Sequence, residues 1–151
     1  QNFTNAAKAA KVVTGINKKI NKKFFKVMID AAHCGDSDLS IAENEKVIKD
    51  LAKKDALGIF HASAKTTRGC LSTDDGWIGA LLAAYAPTGK LKHVFVELFH
   101  HQDPALAPLR KAVKGHGVDT TDGRTYNRTV TDGVIEVAHR LNNLAARKLI
   151  K

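Results

Sequence analysis

The chain has little cysteine, tryptophan or proline, and it lacks long apolar runs. It contains two cysteines, one tryptophan and three prolines among 151 residues. No apolar run approaches the roughly 18 residues that a membrane span requires, so the sequence predicts no transmembrane segment. The chain also has no phosphate-binding glycine loop and no nucleophile elbow. These absences argue against the P-loop nucleotide-binding proteins and the serine hydrolases.

The two cysteines, Cys34 and Cys70, predict a single disulfide. In an oxidising compartment it would close a loop of about 35 residues and contribute about 2–4 kcal/mol. The chain starts at Gln1 with no signal-peptide pattern, as a processed N-terminus does, and it has glycosylation sequons at Asn2–Thr4 and Asn127–Thr129. We therefore expect a secreted glycoprotein with one disulfide. Two reduced, buried thiols in a cytosolic protein are the alternative.

Acidic residues are missing from the first 29 positions, although the whole chain carries a formal net charge of +9. Such an excess favours association with polyanions such as nucleic acid, an anionic membrane surface or acidic polysaccharide. The alternative is a solvated helix face without a partner. The lysines of this acid-free stretch are Lys8, Lys11, Lys18, Lys19, Lys22, Lys23 and Lys26.

The spacing of apolar residues predicts an all-α fold. Ser40 followed by Glu43 predicts a capping box, and Asp103 before Pro104 predicts a second helix start. Because the chain has no internal repeat or linker, we expect residues 1–151 to form a single helical domain, a bundle of about six to eight helices with one disulfide. The predicted helices span about 4–13, 16–32, 40–54, 56–65, 72–86, 91–101, 104–114 and 132–149.

Histidine and glutamate recur within residues 91–101. The apolar residues of this stretch follow the i, i+3, i+4, i+7, i+8 spacing of an amphipathic helix. The polar residues at i, i+4 and i+7 would then share one face, and the last predicted helix carries a second Glu-x-x-His. A solvated helix face is the alternative to a metal site. The predicted ligands of a divalent metal ion, zinc or another, are His93, Glu97, His100, Glu136 and His139.

The two Glu-x-x-His tetrapeptides, 97–100 and 136–139, resemble those of ferritin-like carboxylate proteins. That family also takes a bridging glutamate from each of two other helices. Glu43 or Glu45 could supply one of these, but no second candidate lies between the two tetrapeptides. The resemblance therefore leaves a mononuclear site as the expectation.

If residues 93–101 form a strand instead, the strand ends in paired histidines and resembles part of the HNH or AHH nucleases. The positions that match are His100, His101, Asn127 and His139. The resemblance implies a metal-dependent nuclease in which one histidine activates water and the other residues hold a metal ion against the phosphate. The basic charge suits DNA or RNA as the substrate.

Asp36, Asp38 and Glu45 have a spacing that resembles the calcium loop of EF-hand proteins. The first loop position is Cys34 and the sixth is Leu39, where that family has aspartate and glycine, so the resemblance implies at most a weak calcium site. A defence or structural protein that binds anionic surfaces or polysaccharide through lysine-rich helices would need no such site. Metal binding, nuclease activity and surface binding all remain open, and the sequence does not decide whether the protein is an enzyme.

Overall fold

A computed structural model describes residues 5–64, 76–112 and 123–151, which form a mixed α/β fold. The all-α prediction is therefore wrong, because three parallel strands form a sheet in the order β1-β2-β3. The strands are β1 (Val27–Asp30), β2 (Leu57–Ala62) and β3 (Val94–Val96). The helices are α1 (Ala6–Lys19), α2 (Ala31–Gly35), α3 (Ile41–Lys53), α4 (Trp77–Tyr85), α5 (Ala107–Ala112) and α6 (Tyr126–Ala146), with 3₁₀ turns at Ala86–Thr88 and Pro104–Leu106.

All three strands lie within segments for which helices were predicted. β1 occupies part of the predicted helix 16–32, β2 replaces the helix at 56–65, and β3 replaces the helix at 91–101. The apolar runs of β1 and β3 do not alternate with polar residues, because even their exposed positions, Met28 and Phe95, are apolar. A short run of this kind cannot be distinguished from a buried helix by its spacing alone.

The helix starts that were predicted from capping residues are confirmed. Ser40 Oγ accepts a hydrogen bond from the Glu43 backbone N–H at 3.3 Å, and the Glu43 carboxylate accepts one from the Ser40 N–H at 2.8 Å. Asp103 accepts a hydrogen bond from the Ala105 N–H at 2.9 Å at the start of a 3₁₀ turn. Local capping chemistry therefore sets these boundaries independently of the sheet.

The core includes buried residues of β1, β2, α3 and α4. Ile29 and Phe60 are register partners on adjacent strands, and both are fully buried. The Phe60 ring meets the Tyr85 ring edge to face with 6.0 Å between centroids, and the Tyr85 hydroxyl donates to the Gly58 carbonyl at 2.7 Å. Burial raises the pKa of Tyr85 to about 12. These contacts fix α4 against the strand that carries the middle of the site described below.

Cys34 is a free, buried thiol, so the predicted disulfide between Cys34 and Cys70 is wrong. Burial, together with the nearby charge of Asp30, raises the pKa of Cys34 to about 12, which keeps the side chain a neutral thiol. Cys70 lies outside the described residues, as does the sequon at positions 2–4. None of the described helices combines the length and the hydrophobicity that a membrane-spanning helix needs.

Candidate metal centre

The three parallel strands end at one edge of the sheet, and each brings a polar side chain to that edge. Asp30 is the last residue of β1, His61 is the penultimate residue of β2, and Glu97 follows β3 directly. The register pairs Asp30 with His61 and His61 with Phe95. Glu97 stands two residues beyond Phe95, on the same face of its strand. The carboxyl edge of a parallel sheet is where α/β proteins usually bind ligands.

The imidazole of His61 faces two carboxylate oxygens. Its Nδ1 atom lies 3.5 Å from Asp30 Oδ2 and 3.6 Å from Glu97 Oε2. The potential ligand atoms of the three residues all lie within 4.8 Å of one another. Ligand atoms around a tetrahedral zinc ion, with bonds of about 2.0–2.1 Å, are about 3.3 Å apart. The two distances from Nδ1 are close to that value, so this cluster could hold a metal ion.

His61 Nδ1 is buried and makes no hydrogen bond. This is informative because most buried side-chain polar atoms have a hydrogen-bond partner. The side chains of His61 and Glu97 are 22% and 34% exposed, whereas that of Asp30 is only 6% exposed. The centre therefore has a buried base formed by Asp30 and a side that is open to solvent.

The surroundings of Glu97 oppose its ionisation. Burial raises the pKa of Glu97, and the charge of Asp30 raises it further, while His61 acts in the opposite direction. Two neighbouring carboxylates that share a partly buried site cannot both ionise easily unless a cation accompanies them. A divalent cation would supply positive charge and so oppose the rise in the pKa of Glu97.

Asp30 is held in position by the helix that follows it. Its Oδ1 atom accepts a hydrogen bond from the His33 backbone N–H at 3.0 Å, so Asp30 is the N-cap of α2. The cap fixes the carboxylate and leaves Oδ2 directed towards His61. A backbone donor that orients a ligating carboxylate is a common feature of metal sites.

Of the five ligands predicted from the sequence, only Glu97 belongs to this cluster. His93 is exposed and immediately precedes β3, where its carbonyl accepts a hydrogen bond from the Phe60 N–H at 3.2 Å. Four residues along a helix bring side chains together, but four residues along an extended segment span about 13 Å. His93 and Glu97 therefore do not share a site in the way that the helical spacing predicted.

His100 is buried and serves a packing role. Its Nε2 atom lies 3.0 Å from the Arg124 carbonyl, and its Nδ1 atom accepts from the Gln102 N–H at 3.1 Å. Its ring also lies 4.3 Å from the ring of His101, measured between centroids. With Nδ1 accepting, Nε2 must donate, so His100 is the neutral tautomer and ties the segment after β3 to the residues before α6.

The α6 residues of the predicted site lie apart from the cluster. The Glu136 carboxylate pairs with the Arg140 guanidinium at 2.9 Å, while His139 and Asn127 are exposed on the helix. The alternative in which residues 93–101 form a strand that ends in the paired histidines is met only in part, because β3 covers Val94–Val96 and ends before His100. The nuclease function inferred from that resemblance remains a prediction.

The residues of the predicted calcium loop have other partners. Asp38 accepts a hydrogen bond from the Asn5 side-chain amide, which holds its pKa below the usual range. Asp36 is the C-cap of α2, and Glu45 lies 4.0 Å from Lys49 on α3. They form no metal-sized group within the part of the chain that the structure describes.

Sequence reasoning missed Asp30 and His61. The signal that could have found them is positional, because each stands at the end of a short apolar run, Val27–Ile29 and Leu57–Phe60. Comparison of the chain with protein-family models, with curated proteins and with solved structures returned no match. The functional inference therefore depends on the geometry of the site.

Proposed function

We propose that the protein is a zinc-dependent hydrolase whose metal ion is held by Asp30, His61 and Glu97. The observation that carries the proposal is the buried His61 Nδ1, which has no hydrogen bond and lies 3.5 and 3.6 Å from two carboxylate oxygens. A metal ion bound between these atoms would give the imidazole nitrogen and the two carboxylates a shared partner.

The mixture of one nitrogen and two oxygen ligands favours zinc. Magnesium and calcium prefer oxygen ligands alone, whereas zinc is bound by histidine nitrogen as well as carboxylate oxygen. Zinc also binds such sites more tightly than manganese, iron(II) or cobalt does. Cys34 is not part of the group of ligand atoms that lie within 4.8 Å of one another.

Hydrolysis follows from the number of ligands and the exposure of the site. Three protein ligands leave one tetrahedral position free, as in catalytic rather than structural zinc sites. Bound zinc lowers the pKa of a water molecule to about 7 and so provides a nucleophile at neutral pH. Asp30 forms the buried base of the centre, and the partly exposed His61 and Glu97 leave its other side accessible to a substrate.

Calorimetric titration of chelator-treated protein with zinc tests the metal site. We expect one zinc ion per chain and a loss of affinity of about 100-fold or more in His61→Ala. His139→Ala is the matched control, because His139 is an exposed histidine outside the cluster. Equal zinc affinity in wild type and His61→Ala would exclude the site.

The hydrolase function needs a separate assay. Chelated and zinc-restored protein would be incubated with activated amide, ester and phosphate-ester substrates. We expect zinc-restored turnover in wild type and His139→Ala, and none in His61→Ala. Stoichiometric zinc binding without turnover of any of these substrates would support the metal site but contradict the hydrolase function.

A fourth protein ligand would make the centre structural, and His33 is the residue with which to test this. It lies in the short helix that Asp30 caps, three residues after that ligand. We expect His33→Ala to keep its zinc affinity within a few-fold of wild type, as a three-ligand site requires. A loss as large as that of His61→Ala would indicate a closed, structural centre.

A further inference from the structure

A lysine-lined groove lies at the opposite, amino edge of the sheet. Residues 20–26 lead into β1 and residues 54–56 lead into β2, so both segments lie where the strands begin. Between them is a groove of about 380 Å³ with no carboxylate in its lining. Its polar and basic lining residues are Thr14, Asn17, Lys18, Asn21, Lys22, Lys23 and Lys54.

No acidic side chain among the described residues pairs with three of the lysines of this groove. Lys18, Lys22 and Lys23 are exposed, and none of them forms an ion pair with a described residue. The neighbouring carboxylate, Asp55, is already occupied, because Lys26 and Lys90 each place an ammonium 3.0 Å from it. The groove therefore has an excess of positive charge that an anionic partner would complement.

Exposed apolar side chains are concentrated in the same stretch of the chain as these lysines. Six of the eleven large hydrophobic residues that are exposed among the described residues fall between positions 12 and 28. Phe24 is 73% exposed and Phe25 is 44% exposed, with their rings packed edge to face at 5.2 Å between centroids. The other four are Val12, Ile16, Ile20 and Met28.

Hydrogen bonds hold this segment in its exposed position. The Asn17 side chain donates to the Phe25 carbonyl at 2.8 Å and accepts from the Phe25 N–H at 2.9 Å. Lys26 donates to the Asp55 carbonyl and so attaches the end of the segment to the turn before β2. The aromatic rings are thus presented to solvent by a fixed backbone, which lowers the entropy lost when they bind a partner.

We propose that this amino-edge surface docks on an anionic lipid bilayer. Lys18, Lys22 and Lys23 would contact phosphate headgroups, while Ile20 and Phe24 enter the boundary with the acyl chains. The aliphatic side chains favour lipid over nucleic acid, because only aromatic rings offer a face on which bases stack. The proposal does not depend on zinc binding, since the candidate metal centre lies at the other edge of the sheet.

Co-sedimentation with vesicles tests the electrostatic part of the proposal. We expect binding to vesicles of phosphatidylglycerol and phosphatidylcholine in equal parts, and no binding to phosphatidylcholine alone. Lys22→Gln/Lys23→Gln should weaken binding roughly 10- to 30-fold. The control Lys111→Gln/Lys151→Gln removes the same charge at two exposed positions outside the groove and should change binding less than about twofold. Equal losses in the two double variants would overturn the proposal.

Insertion of the aromatic pair is tested by fluorescence. Phe24→Trp should shift its emission to the blue on anionic vesicles and be quenched by brominated acyl chains. Tyr126→Trp is the control, because Tyr126 is 42% exposed but lies on α6. An unchanged Phe24→Trp spectrum would contradict docking, as would tighter binding to single-stranded RNA than to the vesicles. Asp30→Asn should bind vesicles like wild type whether or not zinc binds.

Discussion

Carboxylates at the two edges of the sheet have pKa values shifted in opposite directions. At the carboxyl edge, burial and the charge of Asp30 raise the pKa of Glu97. At the amino edge, Lys26 and Lys90 lower the pKa of Asp55 to about 2. One edge therefore holds a carboxylate whose charged form is disfavoured, whereas the other holds a carboxylate whose charged form two lysines stabilise.

This difference separates a candidate functional site from a structural ion pair. Groups kept in an unfavourable ionisation state reduce stability, and proteins retain them mainly where function requires them. The Nδ1 atom of His61 supports the same interpretation, because it is buried without a hydrogen bond and lies between the two carboxylates. The exposed pair at Asp55 needs no functional explanation.

The largest effect on stability is expected at Asp30, where two variants separate its capping role from its role as a metal ligand. Asp30→Ala removes the N-cap of α2 and should lower the free energy of unfolding by about 1 kcal/mol. Asp30→Asn keeps a capping oxygen and should remain close to wild type in stability, yet both variants should lose zinc affinity. Urea unfolding and zinc titration measure the two properties separately. Equal stability of the two variants would show that the cap contributes nothing.

A smaller effect is expected for Glu97→Gln, which should raise the stability of the metal-free protein. Because the pKa of Glu97 is raised on folding, the metal-free protein should lose stability as the pH rises from the ordinary glutamate range through this higher pKa. Glu97→Gln removes that loss, so its metal-free form should melt roughly 2 °C higher than wild type at pH 7 and at a similar temperature at pH 4. Added zinc should raise the melting temperature of wild type only. A variant that melts lower at pH 7 would contradict the account of the carboxylate pair.

The smallest effect on stability is expected for Asp55→Asn. Its dependence on pH should be opposite to that of Glu97→Gln. The pKa of Asp55 is lowered on folding, so its contribution is present above the ordinary aspartate range and is lost as the pH falls towards about 2. Asp55→Asn should melt slightly lower than wild type at neutral pH, and the two should converge in acid. Asn is suitable because position 55 has a φ of 53°, a left-handed conformation that asparagine tolerates. Thermal melts across this pH range, with zinc affinity unchanged, would check the prediction.

Local chemistry was readable from the sequence, whereas pairing between distant segments was not. The capping box at Ser40 and the turn start at Asp103 depend on neighbouring residues, and both were predicted correctly. The strands were missed because their apolar runs lack the alternation with polar residues that identifies a strand; even the exposed Met28 and Phe95 are apolar. That single error converted three strands into helices and an α/β fold into a bundle.

The site was missed for the same reason. His93, Glu97 and His100 seemed to converge only because a helix was assumed, and in the fold Glu97 instead meets residues far away in the chain. Asp30 and His61 stand 31 positions apart in the sequence, and strand register alone brings them together. No spacing rule links them, although a polar residue that ends an apolar run is a signal to follow in other chains.

X-ray absorption at the zinc edge tests the central claim most directly, because it reports the ligand atoms themselves. For the zinc-loaded protein we predict a first shell at about 2.0–2.1 Å that contains a single imidazole nitrogen with oxygen neighbours. The imidazole signal should disappear in any zinc retained by His61→Ala and persist in His139→Ala. A shell with sulfur at about 2.3 Å, or with two or more imidazoles, would contradict the assignment of Asp30, His61 and Glu97 as the ligands.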